Sequence, residues 1–235
     1  MKKIVMIFAI LMGGIATLSA QNAFVGGHRA LTFSLQGGTM YSVNENRFTY
    51  PENGHGADLW TWQGGLTIGY EFTESLGIRV SAGYGKNVSA CNSRQTAGGG
   101  FYPYEFKSLN GFVDGTLDLT RNYGKPWSFH PVLYAGIGLG HTYDFTGDYT
   151  RHPWQSQYMT FNNTVFGFRA GFIAEYDFTD WFGVYADLCG EAYRDDYNGL
   201  QPTKEDQSYF KGYAGFPLDL RAMLSFGVIF RVNNK

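Results

Sequence analysis

The chain has 235 residues, with 18 basic and 20 acidic side chains; a formal charge of −2 excludes the dense positive surface of a nucleic-acid binder. Beyond residue 20 there is no run of 18 consecutive apolar residues, which excludes crossing a membrane by ordinary helices. The length suits one domain with a sizeable core.

Lys2 and Lys3 open the chain, an apolar run follows from Ile4 to Leu18, and Ser19 and Ala20 precede Gln21. This is the pattern of a secretory signal peptide over 1–20, cleaved after Ala20. The absence of a cysteine after the run argues against a lipid anchor. The leader carries two of the 18 basic side chains, so residues 21–235, read as one domain, hold 16 basic against 20 acidic side chains.

Alternation of apolar and polar residues then predicts eight strands. In 31–36, Leu31, Phe33 and Leu35 oppose Thr32, Ser34 and Gln36. The segment 60–72 sets Trp60, Trp62, Leu66, Ile68, Tyr70 and Phe72 against Thr61, Gln63, Thr67 and Glu71, and 76–85 sets Leu76, Ile78 and Val80 against Gly77, Arg79 and Ser81. A fourth, 109–119, has Leu109, Val113, Leu117 and Leu119 on one side, with Phe112 breaking the pattern. Strands at 133–140, 166–178, 182–191 and 217–232 follow. The last alternates over about 15 residues, well beyond the ~5–6 of an ordinary strand, as a tilted membrane-crossing strand does.

Connections alternate in length. Those at 73–75, 120–126 and 179–181 are short, whereas 44–58, 86–103, 144–163 and 194–211 are long. All tight turns therefore share one rim, and an even strand number puts both termini there too. Since lipid leaves no partner for an open sheet edge, the strands are expected to close into a barrel. Residue size assigns its faces. An eight-stranded interior is just wide enough for side chains to fill, and the Trp, Phe and Leu set would overfill it. The apolar face therefore points to lipid and the Gly, Ser and Thr set points inward. Trp60, Trp62, Trp127, Tyr143, Tyr176 and Trp181 fall near strand ends, where amphipathic rings suit the membrane interfaces.

An internal repeat, YEFTESLGI at 70–78 and YDFTDWFGV at 176–184, marks two short turns. With the YAGIGLG run at 134–140 and the final strand, it resembles the eight-stranded OmpA/OmpX-type outer-membrane barrels, in a Bacteroides-type form, over 30–232. The resemblance implies an all-β, antiparallel up-and-down transmembrane barrel in the outer membrane of a Gram-negative cell. Its implied partners are outer-membrane lipid and lipopolysaccharide and the barrel assembly machinery. One departure is that Arg231 to Lys235 follow Phe230, where such barrels often finish on an aromatic residue.

The candidate lumen network is Glu71, Arg79, Asp114, Arg169, Glu175, Asp187, Glu191, Asp219 and Arg221. Pairing Phe178 with Phe182 would set Arg169 opposite Glu191, as an expected ion pair, and would make Glu71 a diagonal neighbour of Arg79 in the other hairpin. Gly136, Gly138 and Gly140 are expected to make room for Tyr134 and Tyr185. Paired buried charges read first as a structural plug and second as a narrow charged pore.

No catalytic residue, metal ligand set or cofactor motif is identified. His130 and His141 lack a serine two residues away on a lipid-accessible face, so a lipid-modifying enzyme is the third reading; His28, His55 and His152 fall in loop or terminal segments. Gly98 to Gly100 form a loop tip, and Asp144 to Asp148 a polar loop with calcium binding as the lesser alternative. Cys91, at the start of a long loop, and Cys189 read as separate thiols, with a bridge requiring that loop to enter the lumen. Tyr102, Tyr104, Tyr149, Trp154 and Tyr158 are the loop aromatics proposed as recognition anchors for an unidentified extracellular ligand. The resulting expectation is a non-enzymatic outer-membrane barrel, structural or recognising partners through its loops.

Overall fold

The computed structural model describes residues 29–43, 60–73, 75–92, 101–120, 128–147, 161–194, 197–199 and 218–234. Eight antiparallel strands, β1 (Arg29–Val43), β2 (Trp60–Glu71), β3 (Leu76–Asn92), β4 (Phe101–Asp118), β5 (Phe129–Gly147), β6 (Thr164–Thr179), β7 (Phe182–Arg194) and β8 (Leu218–Asn234), pair in chain order. β8 returns to pair with β1, from Arg29 opposite Asn234 to Val43 opposite Leu220, so the barrel closes and no edge is left open.

Inside and outside follow the alternation. Leu35, Leu66, Ile137, Phe168, Leu188 and Phe226 project outward and are exposed, Phe226 at 63%. An apolar surface of that extent on a soluble protein would drive association, whereas facing hydrocarbon it costs nothing. Trp60 and Trp62 stand at the long-loop end of this band, and Tyr176, Phe178 and Trp181 at the short-turn end, forming two aromatic rims. Trp127 lies outside the described residues.

The strands outrun their sequence signal. The loop expected at 86–103 is strand for most of its length, with Lys86 opposite Lys107 and the ladder continuing to Asn92 opposite Phe101. Above the lipid-facing band neither face must be apolar, so backbone pairing persists where the alternation has faded. Cys91 therefore sits on β3, its backbone opposite Tyr102, and residues 144–147 of the expected polar loop close β5.

Two irregularities matter. Between Glu105 and Lys107 the β4–β5 register shifts by one, and Asp144 adopts φ 55°. This bulge, at a residue type that tolerates the left-handed region, turns Phe145 inward to stack on Phe106 with centroids 5.0 Å apart. The second shift, between Asp177 and Thr179, makes Thr179 rather than Phe178 the partner of Phe182. In both repeated turns the threonine hydroxyl accepts from backbone N–H groups, Thr73 from Leu76 at 2.9 Å and Thr179 from Phe182 at 3.1 Å.

Candidate functional site

The lumen is filled by three charged layers stacked between the two mouths. Some partners are ladder neighbours, Glu191 with Arg221 and Arg79 with Asp114, and others, such as Arg169 and Asp114, meet across the narrow barrel from strands that are not adjacent.

Nearest the long loops, Arg221 of β8 forms an ion pair with Glu191 of β7, both almost fully buried. Its guanidinium also donates to the Tyr193 hydroxyl at 3.0 Å, to the Tyr197 hydroxyl at 2.5 Å and to Asn87 Oδ1 at 3.0 Å. The Tyr193 hydroxyl in turn donates to Glu191 at 2.7 Å, and Tyr197 donates to Asn110 at 3.2 Å. The two tyrosine rings stack with centroids 4.0 Å apart, and the Arg221 guanidinium lies 4.9 Å from each. Tyr197 belongs to a turn that leaves the end of β7 and enters the barrel mouth. Asp219 holds that turn by accepting from the backbone and side chain of Asn198, both at 3.0 Å, and Tyr104 donates to the Asn198 carbonyl at 2.8 Å.

The middle layer centres on Asp114 of β4, 1% exposed. Arg79 donates to it from Nε at 2.7 Å, and Arg169 from Nε at 2.7 Å and again from Nη2. Asp187, which accepts the Tyr134 hydroxyl at 2.7 Å, brings a second negative charge to the same layer. Arg79 lies 3.6 Å above the Tyr134 ring and Arg169 4.5 Å from that of Phe112. Two guanidiniums and two carboxylates balance there, which is what burial of charge requires.

At the short-turn mouth Arg231 contacts Glu175 and Asp177, with Glu71 at 3.9 Å. His130 stands between Asp118 at 3.1 Å and Asp177 at 3.3 Å, one ring nitrogen to each. A cavity of about 80 Å³ opens here, lined by Thr32, Ser34, Thr67, Thr116, Arg79 and Arg231 among others, with room for several waters.

The structure thus places all nine sequence-predicted charges inside the barrel, but pairs them differently. Arg169 is opposite Glu191 in the β6–β7 ladder, yet its ion partner is Asp114 and that of Glu191 is Arg221. Glu71 is diagonal to Arg79 in register, while Arg79 turns to Asp114. The glycine assignments change as well. A Cβ on Gly138 would lie 2.6 Å from the Phe112 ring, and one on Gly140 would lie 2.6 Å from Tyr197 and 2.7 Å from Tyr193, while Tyr134 and Tyr185 lie over Gly171 and Gly227.

Tyr104, expected as an exposed loop anchor, is instead on β4, turned inward and 1% exposed. The inward parity that holds Phe112 also carries Tyr104 and Phe106, a sign that was visible in the apparent break at Phe112. Tyr102 is on the same strand, and Tyr149, Trp154 and Tyr158 lie outside the described residues. Sequence reasoning missed Arg231, His130, Asp118 and Asp177 as lumen charges, although alternation along β8 and β6 puts Arg231 and Asp177 on the inward face. Nothing local signalled Tyr197. Cys189 is a free, buried thiol on the inward face of β7.

No protein-family model matches the chain, and no curated protein does. Among solved structures, it is similar to the outer membrane protein OprG from Pseudomonas aeruginosa, at 14% identity over 87% of this chain and 98% of that one, with a TM-score of 0.51. It is also similar to a major outer membrane protein from Thermus thermophilus, at 13% identity over 86% of this chain and 99% of that one, with a TM-score of 0.52. At these identities the likeness speaks to fold, and it agrees with the closure, the outward apolar band and the short-turn rim. The chain has the fold of the eight-stranded outer-membrane β-barrels.

Proposed function

We propose that the chain is a non-enzymatic integral protein of the outer membrane, a plugged barrel that serves as a scaffold and displays its long-loop end for recognition. On this reading residues 1–20 are its export signal. The observation that carries the proposal is the insertion of Tyr197, Asn198 and Gly199 into the long-loop mouth, where all three are buried above the Arg221–Glu191 layer. Buried charge that is paired and hydrogen-bonded favours a fixed interior over a conduction path. The second support is the height of the wall formed by β3, β4 and β5. At ~3.3 Å per residue and a tilt of ~40°, the 17 residues of β3 rise about 40 Å, well beyond a ~25 Å apolar band. That wall would carry the long-loop ends of these strands clear of the bilayer.

A narrow pore is the alternative, favoured by the polar cavity at the short-turn mouth. Single-channel recording in a planar bilayer separates the two. Insertion verified by protease protection, with no conductance steps in molar salt, is the expected result. Reproducible steps that vanish on bulky substitution at Gly138 would overturn the plugged reading.

A further inference from the structure

Above the lipid-facing band, four outward charges stand together on three adjacent strands: Lys86 on β3, Glu105 and Lys107 on β4, and Asp144 on β5. Lys86 and Lys107 are register partners, so their side chains leave the sheet side by side, and like charges opposed in this way repel. Each has a carboxylate neighbour, Lys86 with Glu105 at 2.7 Å and Lys107 with Asp144 at 2.5 Å. All four side chains are 38–49% exposed, so these pairs are weak and readily exchanged.

Their height is informative. From Leu76, at the short-turn end of β3, to Lys86 is about 33 Å along the strand, or ~25 Å along the barrel axis, one apolar band's thickness. Tyr143 is the register partner of Lys107, and Tyr84, two residues before Lys86, packs on Trp62 with centroids 5.6 Å apart, so the lysines sit beside the aromatic rim. Two lysines projecting from one register pair at headgroup level can both reach a doubly charged anion arriving from the leaflet, exchanging their exposed carboxylate partners for it.

We propose that Lys86 and Lys107 form a docking site for the phosphate monoester headgroup of a lipid in the leaflet on the long-loop side. The proposal rests on the membrane reading above and deepens its lipid partner to a chemical class and a site. Glu105 and Asp144 act as competitors for the two ammoniums, so removing their charges strengthens docking.

The test uses the full barrel in nanodiscs of phosphatidylcholine with an equal minor fraction of phosphatidic acid, a monoester, or phosphatidylglycerol, a diester. Retained lipid is counted by native mass spectrometry. Phosphatidic acid is expected to be retained in preference. K86Q/K107Q should weaken that retention about thirtyfold, from two cations near an anionic surface, whereas K86R/K107R should keep it. E105Q/D144N should increase it, and asparagine tolerates the left-handed backbone at position 144. Equal retention of the two anionic lipids, or K86Q/K107Q behaving as the parent, overturns the site. Complete displacement by inorganic phosphate assigns it to the free anion and overturns the lipid reading. Loss of protease protection in every nanodisc would instead overturn the membrane reading, and this site with it.

Discussion

Arg169 faces Glu191 directly across the β6–β7 ladder, yet its guanidinium is held by Asp114 on β4, on the other side of neighbouring β5. Ladder register brings Arg79 to Asp114 and Arg221 to Glu191, whereas Arg169 reaches Asp114 only through the lumen. A double-mutant cycle tests the difference. Arg169 and Asp114 should couple by about 1–3 kcal/mol in urea unfolding from lipid bilayers, and Arg169 and Glu191, opposed without a direct ion pair, should couple by less than that.

Asp114→Ala should be the costliest single change in the middle layer, at about 3–5 kcal/mol, because it leaves two buried guanidiniums without their shared carboxylate. Arg169→Ala should cost less, since Arg79 still serves Asp114. The reverse order in unfolding free energy would contradict the shared-carboxylate arrangement.

Gly140 lies directly under two stacked lumen rings. Gly140→Ala should destabilise by about 1–3 kcal/mol through overpacking, since its Cβ would fall against the rings of Tyr197 and Tyr193. Combining it with Tyr197→Ala should cost less than the sum of the two separate losses, because one of the crowded rings is gone. Strict additivity would mean that the turn bearing Tyr197 is not seated in the mouth.

The two aromatic rims can be located by depth-dependent quenching. Variants keeping only Trp62 or only Trp181, which are 53% and 59% exposed, should be quenched best by bromines near the headgroups. A tryptophan replacing Phe226, within the outward band, should respond best to bromines deep in the acyl chains. Absence of quenching at all three positions would place the band in water and remove the membrane assignment.

Cys189 should resist a bulky maleimide in the folded barrel and react only on unfolding, measured in a Cys91→Ser background. Its thiol is buried on the lumen side, within hydrogen-bonding distance of the Gly190 carbonyl at 3.7 Å. Rapid labelling of the folded protein would show the middle of the lumen open to reagents of that size.

What the amino-acid order determined by itself is the part governed by period and size. Strict alternation specified eight strands, short turns marked one rim, and the bulk of Phe, Trp and Leu pushed the apolar face outward because a narrow interior could not hold it. Inward parity was legible even where its meaning was misread, as at Phe112 and Arg231. Arg79 with Asp114 and Glu191 with Arg221 are level across adjacent strands, but the choice of Asp114 by Arg169 was decided only in the closed barrel, since β5 lies between their strands and they converge through curvature and tilt, neither of which is written in any single segment. The same holds for Phe145, turned inward by the bulge at Asp144, and for Tyr197, brought into the mouth by Asp219 and Tyr104. Period is a local property of a chain, whereas which side chains meet across a lumen depends on how the whole sheet closes.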